Sequence, residues 1–256
     1  MDVIKVSEVT KDFGGLRALN SVGFEVDSSD GVVGLIGPNG AGKTTLLNVI
    51  SCFYGPDSGE ILLEGRPLLG LRPHNLPKLG VSRTFQTPRI CKALNVLENV
   101  VLGRHTLFRA RLLHILLDSS FARSEETRAR EESMEALRWV GLQEHAYEPA
   151  GILTGGQQRL LDFARIVTSK PRLALLDEPF AGLSSVEMDH TYEAILKLCR
   201  EGSTVLLVEH NIDVVKRLCS KIVMLDFGVK ISEGPPEEVL ADPAVLRAYF
   251  GEAQSA

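Results

Sequence analysis

In Gly37-Pro38-Asn39-Gly40-Ala41-Gly42-Lys43-Thr44-Thr45 the glycines, the lysine and the first threonine stand in the spacing G-x-x-x-x-G-K-T. That spacing is the P-loop pattern. The apolar run Val32-Val33-Gly34-Leu35-Ile36 precedes it as a buried strand, and Leu46, Leu47, Ile50 and Phe53 follow at helical spacing. Strand, glycine loop and helix thus come in the order an anion cradle requires. Glycines let successive N–H groups turn inward, and the helix N-terminus adds partial positive charge. Lys43 is placed to reach the β- and γ-phosphates of a nucleotide, and the Thr44 hydroxyl to bind Mg²⁺.

Outward from the loop, residues 3–9 and 21–26 alternate apolar and polar as half-buried antiparallel strands do, with Gly14-Gly15 as their turn. Residues 59–65 and 81–85 read as further strands. From about Asn95 to Val140 the pattern is helical, and the charged run Arg123–Glu132 reads as a solvated face. Arg104–Phe121 is basic and leucine-rich, which suits either an internal amphipathic helix or a partner surface. Strand–helix alternation returns from Leu173. The continuous apolar runs 173–177 and 204–208 fit parallel strands covered on both faces. A helix is expected over 186–200, a hairpin around Phe227-Gly228, and helices opening near Pro235-Pro236 and Pro243.

At 256 residues the chain has ample length for a large core, and 28 basic against 33 acidic residues give a net charge of −5. That balance argues against a nucleic-acid surface. No apolar run approaches the roughly 20 residues of a membrane span, and the start Met1-Asp2-Val3-Ile4-Lys5 lacks signal-peptide character. Cys52, Cys91, Cys199 and Cys219 are scattered, which suggests buried free thiols in a reducing compartment. These features point to a cytoplasmic protein.

Two further stretches carry chemistry. Leu173-Ala174-Leu175-Leu176-Asp177-Glu178-Pro179 is an apolar strand ending in two carboxylates. Beside a P-loop, Asp177 belongs on Mg²⁺ and Glu178 can orient or deprotonate the attacking water. Leu153-Thr154-Gly155-Gly156-Gln157 opens a helix with paired glycines and a hydroxyl, a second anion site.

Leu153–Gln157 is similar to the signature of ATP-binding cassette (ABC) ATPases, with Thr for the usual Ser. The resemblance implies further roles. Phe13 lies where the family stacks an aromatic on adenine, and Gln86 resembles the Q-loop residue that helps bind Mg²⁺ and senses the membrane partner. His210 resembles the switch histidine, a catalytic residue beside Glu178. Taken singly, the same three residues fit a core aromatic, a surface amide and a satisfied histidine. Phe13-Gly14-Gly15-Leu16, Arg83-Thr84-Phe85-Gln86 and the ending 243–252 look like branched-chain amino-acid importer ATPases. Ser184 departs from the family, most of which has Asp there, and this bears on how hydrolysis at two sites is coupled.

The resemblance implies an α/β P-loop NTPase with a RecA-like core over 1–86 and 165–256. An antiparallel β-subdomain and an inserted helical subdomain at about 87–164 complete it. It also implies ATP and Mg²⁺ as cofactors, and a homo- or heterodimer with a second ABC ATPase. The other implied partners are two membrane permease subunits and, indirectly, a solute-binding protein. Such a chain works peripherally on the cytoplasmic face of the inner membrane. An ABC ATPase of a lipid or lipopolysaccharide system shares most of these motifs. A translation or DNA-repair ABC protein fits less well, because the chain has one cassette and no long coiled-coil insertion.

Overall fold

The computed structural model describes residues 2–104 and 120–250, so most of the leucine-rich stretch Arg104–Phe121 lies outside the described residues. The described chain forms two compact units. Of the described residues, the first takes 2–83, 172–178 and 199–250, and the second takes 84–104, 120–171 and 179–198. Among the described residues no helix is long and apolar enough to cross a membrane.

Two sheets build the first unit. Strands β1 (Asp2–Phe13), β2 (Leu16–Asp27), β4 (Ser58–Leu63) and β5 (Arg66–Pro67) form an antiparallel sheet in the order β2-β1-β4-β5. Gly14 and Gly15 turn the first hairpin with positive φ. The larger sheet runs β10-β9-β3-β8-β7-β6. Its members are β3 (Val32–Ile36), β6 (Val81–Arg83), β7 (Leu173–Asp177), β8 (Thr204–Val208), β9 (Lys221–Asp226) and β10 (Val229–Gly234). The pairs β3–β8, β7–β8, β6–β7 and β3–β9 are parallel, and only β9–β10 is antiparallel.

Every residue of β3, β7 and β8 is buried, which explains their unbroken apolar runs. Leu46, Leu47 and Ile50 of α1 (Lys43–Ile50) join one buried cluster with Leu35, Leu175 and Leu206. Helices α6 (Ile212–Leu218), α7 (Pro236–Ala241) and α8 (Pro243–Phe250) complete the unit. Parallel pairing sets the C-terminal ends of β3, β8 and β7 side by side, with Leu35 opposite Val208 and Val208 opposite Asp177. In open α/β sheets ligands bind beyond those ends.

Helix α1 is shorter than its apolar spacing predicts. Cys52 takes a left-handed φ of 57°. The Phe53 N–H returns to the Asn48 carbonyl at 2.9 Å and the Cys52 N–H to that of Val49 at 3.0 Å. This is a Schellman termination without the usual glycine. It leaves Phe53 off the helix and 45% exposed. The cysteines also depart from expectation, since Cys219 is buried but Cys91 is exposed.

The second unit is helical, with α2 (Val96–Gly103), α3 (Ser120–Trp139), α4 (Gly155–Ser169) and α5 (Ser185–Arg200). Helix α2 opens with a reciprocal cap, in which Asn95 accepts the Glu98 N–H and Glu98 accepts that of Asn95. The charged run on α3 is largely solvated, with one exception. Glu132 binds Arg128, Lys170 and the buried Arg104. Burial works against its charge, but the hydrogen bonds from Arg128 and Arg104 prevail and pull its carboxyl down to about 2.

Candidate functional site

The P-loop leaves β3 at Gly37, whose φ is 149°. A Cβ there would lie 2.1 Å from the Leu225 carbonyl oxygen, so the close approach of β9 requires glycine. Asn39 and Gly40 are exposed at the tip, Pro38 is half-buried and Ala41 is buried. Gly42 caps α1 in a left-handed conformation with no side-chain cap bond and no acidic residue in the first turn. The helix end therefore keeps its partial positive charge for an external anion. The Lys43 ammonium is held by the carbonyls of Gly37 at 2.6 Å and Pro38 at 2.8 Å. Burial pushes its pKa down, while Glu178 and Asp177 nearby pull it up. Thr44 is exposed on the first turn and Thr45 half-buried.

Beside the loop, Asp177 ends β7 with its carboxylate 3.3 Å from the Arg83 guanidinium. Burial raises the Asp177 pKa, with Arg83 opposing and Glu178 adding to the rise. A buried carboxylate whose charge remains disfavoured despite an arginine suits an added cation. With the Thr44 hydroxyl it offers the oxygen donors Mg²⁺ prefers.

Glu178 has a left-handed φ of 50°, uncommon for a residue with a side chain, and its N–H is held by the Val208 carbonyl at 3.0 Å. Such backbone strain concentrates at functional sites. Its carboxylate lies 3.7 Å from Nδ1 of His210, which follows β8 with its side chain 62% exposed. The structure thus brings Lys43, Asp177, Glu178 and His210 to one edge of the sheet. Phe13 is 44% exposed, edge-on to Tyr54 at 5.2 Å, with the Lys11 ammonium 5.4 Å from its ring centre. The core-aromatic alternative is thereby excluded.

Gln86 and Leu153–Gln157 belong to the second unit, where an open cleft is lined by Gln86, Pro88, Thr154, Gly155, Gly156 and Arg159. Thr154 caps α4 by accepting the Gln157 N–H at 3.2 Å, and Gln157 accepts the Thr154 N–H at 3.0 Å. Leu153 is buried beneath them. The Glu187 carboxylate lies against Gly156 and accepts both the N–H and the hydroxyl of Ser184 at 2.8 Å. Ser184 opens α5 as a capping residue, its oxygen accepting the Glu187 N–H at 3.4 Å, while the bond its hydroxyl donates to Glu187 is one an ionised aspartate could not make.

Family comparison bears on these arrangements. An ABC transporter family model matches residues 19–181. The chain belongs to the ABC transporter family. A second model, of branched-chain amino acid ATP-binding cassette transporters, matches residues 229–254 of this ABC cassette. The cassette is 40% identical to the high-affinity branched-chain amino acid transport ATP-binding protein BraF of Pseudomonas aeruginosa, over 98% of each chain. It is 37% identical to the corresponding LivG protein of Escherichia coli K12, again over 98% of each. A nucleotide-free ATP-binding cassette from an ABC transporter superposes with a TM-score of 0.82 at 32% identity, covering 98% of this chain and 100% of that one. A dimeric bacterial ABC transporter cassette gives 0.78 at 28% identity, covering 91% and 98%. The P-loop NTPase fold expected from the sequence is thus the fold of the family.

Several residues of this ABC cassette escaped the sequence reading. Arg83 pairs with Asp177 across 94 positions and also donates to Asn48 at 2.7 Å and Ser51 at 2.6 Å. On α4, Arg159, Asp162 and Arg165 hold the Gln86 segment. Arg159 donates to the Gln86 carbonyl at 3.2 Å, and Arg165 to that of Arg89 at 2.5 Å. Asp162 accepts the Phe85 N–H, and burial raises its pKa to about 6 against the opposing charges of Arg165 and Arg89. One signal was available, since Asp162 is a lone acid among the apolar Leu160, Leu161 and Phe163.

Proposed function

We propose that the chain is the ATP-hydrolysing, energy-coupling subunit of an importer for branched-chain amino acids. The observation that carries the chemistry is the strained Glu178 facing His210 at the strand ends beside Lys43. ATP binds with its phosphates over the loop Gly37–Thr45, where backbone N–H groups, the uncapped α1 end and the Lys43 ammonium meet the negative charge. Phe13 presents an exposed ring for the adenine. Glu178 accepts a proton from the attacking water, and His210 stabilises charge growing on the γ-phosphate. Thr44 and Asp177 would hold Mg²⁺, which would supply further neutralisation of the phosphate oxygens.

The chain carries one P-loop and one Thr154-Gly155-Gly156 turn. A second cassette is therefore the partner that offers its turn to this chain's nucleotide, and the pair acts on two permease subunits at the membrane. The substrate class is supported by the C-terminal match at residues 229–254 and by the names of the full-length relatives. The test is purification of the tagged chain from its native membrane with its permeases, followed by reconstitution in vesicles. ATP-driven uptake of leucine, isoleucine or valine is expected, and Glu178→Gln abolishes it while leaving the complex assembled. Co-purification with a lipid-system permease and no amino-acid uptake would overturn the substrate assignment.

A further inference from the structure

The C-terminal helix reaches the nucleotide loop through one side chain. The Gly37 N–H donates to the Tyr249 hydroxyl oxygen at 3.1 Å, across 212 positions of sequence. Gly37 is buried, and its own carbonyl accepts from Lys43 at 2.6 Å. A single residue, at which the Leu225 carbonyl leaves no room for a side chain, is thus held by Tyr249 at its N–H and by the P-loop lysine at its C=O.

Helix α8 is fixed well enough to act at that point. The Asp242 carboxylate accepts the Ala244 N–H at 2.8 Å, and the Asp242 carbonyl accepts that of Leu246 at 3.0 Å. Val245, one turn before Tyr249 on the same helix face, is 1% exposed. Burial raises the Tyr249 pKa, so the phenol stays neutral at physiological pH and its oxygen remains an acceptor.

We propose that Tyr249 is a positioning residue for the P-loop. By accepting the Gly37 N–H it fixes the peptide from which Lys43 is hung, and so lets the C-terminal helix set how tightly the loop holds nucleotide phosphate. This rests on the reading of Gly37–Thr45 as the nucleotide site. Tyr249 touches no reacting atom and acts through Gly37.

The test uses the full chain with Tyr249→Phe, which keeps the ring and removes the hydroxyl. Without its acceptor the buried Gly37 N–H is unsatisfied. The dissociation constant for ATP and the KM each rise about tenfold, while kcat stays within about twofold and the Gly37 amide exchanges faster with solvent. Val245→Ala serves as the control, since it loosens α8 and keeps the hydroxyl. Affinity and KM within twofold of wild type in Tyr249→Phe overturn the proposal. So does a parallel fall of kcat and melting temperature that Val245→Ala reproduces, because that marks a packing role only. Lys43→Ala, titrated alongside, separates the two readings. Unchanged affinity there removes the P-loop site itself, whereas lost affinity there with wild-type affinity in Tyr249→Phe removes only the role of Tyr249.

Discussion

The two glycine turns of this chain look alike in sequence and differ in physics. At Gly37 and Gly42 the backbone takes positive φ and a neighbouring carbonyl would crowd any Cβ, while α1 starts with no side-chain cap. At Gly155-Gly156 neither residue has a positive φ, Gly155 has open space around it, and Thr154 with Gln157 already caps α4. The first turn is an anion site by its own construction, because unsatisfied N–H groups and a lysine converge there. The second has part of its donor capacity committed to its own helix. What it has left to offer are the glycine amides and the Thr154 hydroxyl proton, groups that suit a contribution to a site completed by another chain.

Alanine at the two turns separates them most sharply. Gly37→Ala forces a left-handed, clashing residue into the loop and is expected to cost several kcal/mol of stability, with loss of nucleotide binding. Gly155→Ala meets no neighbour and stays within about 1 kcal/mol of wild type, since alanine favours helix. Urea denaturation of both variants checks this, and equal losses would erase the distinction.

The signature helix is tied to the Gln86 segment by a titrating group, a buried carboxylate opposed by arginines as Asp177 is opposed by Arg83 beside the P-loop. Asp162 is raised from its ordinary value near 3.8 to about 6 by burial, with Arg165 and Arg89 opposing. Between those values the folded chain holds more protons than the unfolded one, so this group makes stability fall as pH rises from about 4 to about 6. Asp162→Asn is expected to remove a slope worth on the order of 3 kcal/mol across that window. Stability curves measured at pH 4, 5, 6 and 7 report it, and an unchanged slope would contradict the assignment. Thr154→Ala has the smallest expected effect. It removes the cap of α4 at about 1 kcal/mol and leaves nucleotide binding to the isolated chain intact. A fall in that binding would mean that the two turns are not independent.

What the sequence made legible follows from how local each cause is. The P-loop, the buried strands and the helix that opens at Gly155 are set by neighbours a few residues away, so spacing alone exposes them, whereas the Thr154 hydroxyl, read there as a donor, accepts the Gln157 N–H as a cap. Arg83, Asp162 and Tyr249 act on partners far along the chain, and nothing near them in sequence names those partners. Phe53 was misplaced for the opposite reason. The helix stops at a left-handed Cys52, a position where glycine is the usual marker, so its periodicity outruns the helix. Ser184 departs from the family's Asp with a local consequence, since its hydroxyl donates to the Glu187 carboxylate, a bond an ionised aspartate could not make.

The claim that Glu178 acts on water while Lys43 holds phosphate is tested most directly in one paired measurement. ATP binding and single-turnover hydrolysis are followed on purified Glu178→Gln and Lys43→Ala. Glu178→Gln should bind ATP as wild type does and hydrolyse it about 10²-fold or more slowly, whereas Lys43→Ala should lose affinity. Near-normal hydrolysis by Glu178→Gln, or unchanged affinity in Lys43→Ala, would contradict it.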